Sequence, residues 1–178
     1  LADLVFPISE WVATDLRAFL SQDQMCVQGI KPIIQTLFLP GESQLLARVR
    51  TVPSRAAKRI LSVGSIVPHK NQMLLVHAFE ELCAERPELD WELALAGNLH
   101  PDLAGELHLA TVNNPRIKYL GEVEDEHLAE LYHSAAFTVF PSVMEGFGLP
   151  ILESLWFSRP CICANFGAMS EVAAGGGC

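Results

Sequence analysis

The sequence predicts an α/β domain, a parallel β-sheet covered by helices on both faces, over most of the chain. From residue 58 onward, short apolar runs alternate with helical patterns, and strict alternation calls for right-handed crossovers and hence parallel strands. The runs are short and strongly apolar, as strands buried on both faces are. Half of the 178 residues are apolar, enough for one full core and some additional segment.

Each element follows from its residues. Arg59–Gly64 reads as a buried strand, and Asn71–Glu85 as a helix with Leu74, Leu75, Ala78, Phe79 and Leu82 on one face. Glu92–Gly97 is the next strand, Leu103–Thr111 a helix and Ile117–Gly121 a third strand. Asp125–His133 is a short amphipathic helix whose acidic start suits the helix dipole. Ala136–Pro141 is a fourth strand, Pro150–Phe157 a helix and Cys161–Ala164 a fifth strand. The first 57 residues differ. Asp3–Ile8 ends a strand, Ser9 caps a helix that runs to Leu20, and Ile33–Leu39 is another strand closed by Pro40-Gly41. Residues 41–57 lack a strong period and contain Pro53, the pattern of a linker. The expected organisation is therefore the tail of a preceding domain over 1–40, a linker over 41–57 and the α/β domain over 58–178. With Leu1 at its start and Gly175-Gly176-Gly177-Cys178 at its end, the chain reads as a fragment.

Bulk charge excludes some functions. The formal net charge is −9, so no broad basic surface is expected for nucleic acid or anionic lipid. Any phosphate must be held locally. No apolar run approaches the roughly 20 residues that span a bilayer, and the start lacks the basic region of a signal peptide. Cys161 and Cys163 share one side of their strand and read as small buried apolar residues. No His-Glu-x-x-His occurs among the six histidines, and no metal site is expected.

The chemistry concentrates in two strand-to-helix turns. Pro141-Ser142-Val143-Met144-Glu145-Gly146-Phe147-Gly148-Leu149-Pro150 follows a strand and opens a helix, the place where ligands bind in such sheets. Gly146 and Gly148 permit close backbone approach, and Pro150 suits the first helical position. The amides of Phe147, Gly148 and Leu149 then face outward with the positive end of the helix dipole behind them, an anion seat without basic side chains. Glu145 and Glu153 flank it; the plainer alternative is a glycine turn with two solvated acids. The second turn is Gly64-Ser65-Ile66-Val67-Pro68-His69-Lys70-Asn71. Its Gly64-to-Lys70 spacing equals that of a P-loop, but His69 and Asn71 replace the second glycine and the Mg²⁺-holding hydroxyl. Lys70 is expected to meet a phosphate as a point charge, unless it is only a solvated lysine at a helix start.

Together these residues resemble glycosyltransferase family 4, whose members carry two Rossmann-like domains facing across a cleft, the GT-B architecture. The markers are Val63-Gly64 with Lys70-Asn71, Leu95-Ala96-Gly97, Tyr119-Leu120-Gly121, Leu131-Tyr132, Gly167-Ala168-Met169-Ser170-Glu171-Val172, and above all Glu145 and Glu153 with seven residues between them. The resemblance implies the nucleotide-sugar-binding half of a retaining glycosyltransferase. On this likeness Glu145 contacts the donor sugar's hydroxyls, the amides of Gly146, Phe147, Gly148 and Leu149 hold sugar and diphosphate, and Glu153 accepts from the ribose. Lys70 offsets charge on the departing β-phosphate, and backbone near Gly121 to Val123 meets the base. Gly64, Ser65 and His69 line the diphosphate. The acceptor attacks on the face from which the nucleotide leaves, without a protein nucleophile. The absence of Asp-x-Asp agrees with a metal-independent reaction. The implied partners are a nucleotide-diphosphate sugar and a glycan or lipid-linked acceptor, with no nucleic acid. The implied place is the cytoplasm, at or beside the inner face of the plasma membrane, in bacterial polysaccharide assembly.

Two positions depart from the pattern. Ser65 stands where many relatives have Arg, so one fixed charge is missing and His69 is a candidate substitute; Ser158 stands where relatives usually have Gly at a helix end. Two rival functions remain at this level. A nicotinamide-dependent dehydrogenase would also be doubly wound, but Ile151 occupies its third glycine and the turn follows a late strand. A nucleotide-sugar-binding module without activity of its own suits the chain taken alone.

Overall fold

The computed structural model describes residues 3–21, 32–39 and 58–173. The expected linker over 41–57, Pro40-Gly41, and the terminal Gly175-Gly176-Gly177-Cys178 lie outside these residues.

The amino-terminal part pairs β1 (Leu4–Val5) with β2 (Ile33–Ile34) in parallel, and α1 (Glu10–Leu20) follows β1. The strand expected over Ile33–Leu39 is shorter than the apolar run. Gln35 and Leu37 still donate to the carbonyls of Val5 and Pro7 at 3.1 and 2.8 Å, but Pro7 has no N–H with which to continue the ladder. Ser9 caps α1 as expected, its Oγ accepting from the Val12 amide.

The main sheet contains β3 (Arg59–Val63), β4 (Glu92–Ala96), β5 (Ile117–Gly121), β6 (Ala135–Phe140) and β7 (Cys161–Cys163). Its order is β5-β4-β3-β6-β7, and every pairing is parallel. The connecting helices are α2 (Gln72–Glu85), α3 (Ala104–Asn113), α4 (Asp125–Ser134) and α5 (Leu149–Trp156), followed by α6 (Gly167–Ala173). This is the α/β, Rossmann-like sheet that the alternation predicts.

Side chains alternate between two buried faces, as the period-2 geometry of a strand requires. Ile60, Leu93, Leu95 and Ile117 pack with Met73, Val76 and Phe79 of α2 and Leu107 and Ala110 of α3. Leu61, Ala94 and Ala96 point the other way, against Ala129, Leu131 and Tyr132 of α4 and Phe157. Phe140, Ile151, Cys161 and Met169 form a third cluster at the α5–α6 end.

The buried face of α2 differs from the one expected. Leu74 is 58% exposed and Ala78 is exposed, whereas Gln72, Met73, Val76 and Phe79 are buried. The helix is apolar on more than one side, and the polar Gln72 is drawn inward by backbone carbonyls, which rotates the stripe. Leu75 and Leu82 pack at its margin. Helix α6 carries no strong apolar period and was not expected as a helix.

Candidate functional site

The sheet grows from β3 in both directions: the chain runs outward through β4 and β5, then returns to lay β6 on the other side of β3. The turns leaving β3 and β6 therefore diverge around one crevice at the carboxyl ends of adjacent strands, the switch point at which open α/β sheets bind ligands. Both turns singled out from sequence lie there.

The first turn is built for close approach. Gly64 has φ +127°, and a Cβ there would sit 3.4 Å from Lys70 Nζ. Gly97, with φ +144°, backs it from β4; a Cβ on Gly97 would come within 2.2 Å of the Gly64 carbonyl oxygen. A short 3₁₀ turn, Pro68–Lys70, ends on Asn71 in the left-handed conformation and points Lys70 back toward Gly64. Gln72, almost fully buried, donates from Nε2 to the carbonyls of Gly64 and Ser65 at 3.3 and 3.0 Å. The Ser65 and His69 side chains are exposed at the mouth.

The second turn is tied to the first. Val143 N donates to the His69 carbonyl at 2.8 Å, and the buried Ser142 hydroxyl lies 3.2 Å from the same oxygen. Ser142 Oγ is also 3.2 Å from the Met144 carbonyl and 3.0 Å from Glu145 Oε1. One hydroxyl proton is thus shared among three acceptors. Lys70 Nζ lies 3.2 Å from Glu145 Oε1, with side-chain exposures of 20% and 16%. It also sits 5.5 Å from the centre of the Phe140 ring, within cation–π range. The two residues most central to the sequence-based site are therefore in contact, and neither is a solvated surface charge.

The glycines of this turn are not equivalent. Gly148, with φ +107°, precedes α5, whereas Gly146 does not have a positive φ. Helix α5 starts at Leu149, so Pro150 takes the second helical position and not the first. That shift costs no hydrogen bond, because the first four amides of a helix lack an internal acceptor. No described residue accepts a hydrogen bond from the amides of Gly146, Phe147, Gly148 or Leu149.

Glu153 is not a fully solvated acid either. Positioned beyond the first turn of α5, it is partly buried and accepts a hydrogen bond from the Tyr132 hydroxyl at 2.7 Å. Burial raises its pKa above the ordinary glutamate value, Tyr132 opposes that rise, and Asp125 at the start of α4 adds to it. Burial likewise pushes the Tyr132 phenol well above its usual value, so it remains a donor. Tyr132 is held flat against Phe157, ring centres 5.0 Å apart and planes within 2°.

Gly121 and Val123 lie at the end of the edge strand β5. Gly121 has φ +68° with open space where a Cβ would go, its carbonyl accepts from Gly97 N at 2.7 Å, and Val123 packs against the second face. The sequence reading assigned no role to Gln72, Ser142 or Tyr132. Ser142 and Tyr132 stand inside recognisable motifs, but the His69 carbonyl and the Glu153 carboxylate that they meet come from other elements, and no local signal names them.

Sheet order and helix placement together define a Rossmann-like domain whose two candidate turns meet at the switch point. The chain belongs to the glycosyl transferases group 1 family, whose model matches residues 57–177. It is 36% identical over 119 residues to the O-antigen chain mannosyltransferase B of Escherichia coli, covering 66% of this chain and 31% of that protein. It is 35% identical over 120 residues to the MMP alpha-(1->4)-mannosyltransferase of Mycolicibacterium hassiacum, covering 66% and 28%. The chain thus spans about a third of the length of these curated relatives. In fold it is similar to Anabaena Alr3699/HepE, solved with UDP and glucose: TM-score 0.73 at 19% identity, over 96% of this chain and 47% of the other. The resemblance to GT-B glycosyltransferases read from the motifs is borne out.

Proposed function

We propose that this chain supplies the donor-binding side of a retaining glycosyltransferase of family 4, which moves a sugar from a nucleotide diphosphate to an acceptor hydroxyl. The observation that carries the reading is the contact between Lys70 and Glu145 across the switch point, 3.2 Å apart and largely shielded from water. Before the donor enters, each neutralises the other. With the donor in place, the β-phosphate takes the Lys70 ammonium and Glu145 turns to the sugar's hydroxyls. The amides of Gly146 to Leu149, which have no acceptor among the described residues, hold the diphosphate at the start of α5. Glu153 accepts from the ribose, and the backbone of Gly121 to Val123 meets the base. Ser65 and His69 border the diphosphate from the β3 side.

In the transfer, the bond from the anomeric carbon to the β-phosphate oxygen breaks as the acceptor oxygen bonds on the same face. The acceptor's proton passes to the departing phosphate oxygen, so configuration is retained without a protein nucleophile. Charge grows on that phosphate as the bond breaks, and Lys70 stabilises it most strongly then. No metal is assigned a part. The O-antigen and mannosyl activities named for relatives support a hexosyl donor and a glycan acceptor. The matched segments are about a third of those proteins, which supports donor binding without transfer by these 178 residues alone.

Calorimetric titration with a panel of nucleotide-diphosphate sugars tests the reading. At least one is expected to bind, and Glu153→Ala to weaken it by about tenfold, the scale of one hydrogen bond to a charged group. Failure of every nucleotide sugar to bind, with tight binding of a reduced nicotinamide cofactor, would favour the dehydrogenase reading instead.

A further inference from the structure

The glycine turn has a tether from the amino-terminal part of the chain. Ser9 lies 137 residues away in sequence, yet its Oγ donates to the Gly146 carbonyl at 2.9 Å. The same Oγ accepts from Val12 N at 3.2 Å as the cap of α1, and Ser9 is fully buried. Its single proton and one lone pair are thus both engaged. Ile8 stands beside it, 3.6 Å from the position a Cβ on Gly146 would occupy.

This contact bears on the next peptide. The Gly146–Phe147 bond is trans, and in a planar trans peptide the C=O and N–H point in opposite directions. Fixing the Gly146 oxygen toward Ser9 therefore aims the Phe147 amide away from Ser9. Glycine imposes little conformational preference of its own, so this peptide would otherwise be free to rotate. Phe147 N has no acceptor among the described residues.

We propose that Ser9 is a positioning residue for donor binding: its hydroxyl holds the Gly146–Phe147 peptide so that the Phe147 amide meets the diphosphate. The proposal rests on the donor-site reading above. It also makes the start of α1 report on the turn, so that a separation of the two parts of the chain would release the peptide and lower donor affinity.

A second connection at the start of α1 supplies the control. Glu171 on α6 accepts from Glu10 N and Trp11 N at 2.9 and 3.1 Å, fastening the same helix end without touching Gly146. The test uses the full chain and Ser9→Ala, Ser9→Gly, Ser9→Thr and Glu171→Ala. Ser9→Gly is included because glycine replaces a serine cap at little cost to the helix. Donor affinity is read by calorimetry, using whichever nucleotide-diphosphate sugar binds the wild type. The Phe147 amide resonance is followed by NMR as nucleoside diphosphate is added.

Ser9→Ala and Ser9→Gly should each weaken donor binding about tenfold and abolish the downfield shift of the Phe147 amide. Ser9→Thr should restore both, and Glu171→Ala should stay within about twofold of wild type and keep the shift. Wild-type affinity in Ser9→Gly would overturn the proposal while leaving the donor site intact. Equal losses in Ser9→Gly and Glu171→Ala would also overturn it, because looseness of α1 would then account for both. A wild-type chain that binds no nucleotide sugar would overturn the donor-site reading and this proposal with it.

Discussion

At the scale of single residues, the two carboxylates that flank the glycine turn, Glu145 and Glu153, sit in opposite electrostatic settings. Glu145 has a cation at 3.2 Å and a hydroxyl at 3.0 Å; Glu153 has a phenol at 2.7 Å, burial and the repulsion of Asp125. Because the folded pKa of Glu153 is raised above its unfolded value, the native state binds that proton more tightly. The resulting stabilisation is present below the ordinary glutamate value near 4.5 and is lost as pH rises through the raised value. Glu153→Gln should therefore gain melting temperature relative to wild type as pH climbs through that window, then level off. A difference that stays flat with pH would mean that Glu153 is not perturbed by the fold. Lys70 and Glu145 call for a different experiment. Removing one member strands a shielded charge, so Lys70→Ala and Glu145→Ala should each cost about 1–3 kcal/mol. The double variant should cost clearly less than the two combined, a coupling of about 0.5–3 kcal/mol. Additive losses in chemical denaturation would show that the pair does not interact.

At the scale of elements, α5 enters and leaves through left-handed residues, one a glycine and the other not. On entry, Gly148 has φ +107°, and a Cβ there would come 3.1 Å from Ile151 Cδ1. Gly148→Ala should cost about 1–2 kcal/mol or more, whereas Gly146→Ala, with ordinary van der Waals space and no positive φ, should cost far less. On exit, Ser158 has φ +55°, Ser158 N donates to Leu155 O at 2.9 Å and Arg159 N to Ser154 O at 2.8 Å, the paired bonds of a Schellman ending. The serine that departs from the family pattern thus occupies a conformation suited to glycine. Ser158→Gly should add up to about 1 kcal/mol, or about 2–4 °C; an unchanged melting temperature would mean that the strain is relieved elsewhere. Elements were legible from sequence because a parallel sheet is written in short apolar runs separated by helical stretches. The candidate site was legible insofar as it sits on contiguous turns. What escaped was whatever depends on distant partners: the burial of Glu153 needs Tyr132 from α4, the Gly146 tether needs Ser9, and the inward turn of Gln72 needs the carbonyls of Gly64 and Ser65. Periodicity also misassigned the face of α2, since a helix apolar on several sides gives no unique stripe.

At the scale of the whole molecule, charge is distributed against the proposed anionic ligand. The chain carries 12 Lys and Arg against 21 Asp and Glu. Lys58, Arg59 and Arg116 gather at the amino ends of the strands, where Lys58 and Arg59 pair with Asp90 and Glu92 and Arg116 donates to the Leu89 carbonyl. That is the end of the sheet opposite the switch point. Near the carboxyl ends, the stretch leading into α4 carries Glu122, Glu124, Asp125 and Glu126, and Lys70 stands already paired with Glu145. On the proposed reading, a nucleotide diphosphate approaches through a repulsive far field and is held by short-range contacts with Lys70 and peptide amides. Screening acts on the first far more than on the second: the Debye length falls from about 30 Å at 0.01 M salt to about 8 Å at 0.15 M, while shielded pairs respond little. Stopped-flow binding of a fluorescent nucleotide-diphosphate sugar should accordingly show an association rate that rises with salt, by about two- to fivefold over that range, with a dissociation rate that changes less. A protein that captured phosphate with exposed lysines and arginines would do the reverse, its affinity dropping steeply as salt is added. Observing that drop here would move the diphosphate away from the turn between Glu145 and Pro150, because local capture by amides and one shielded lysine cannot produce it.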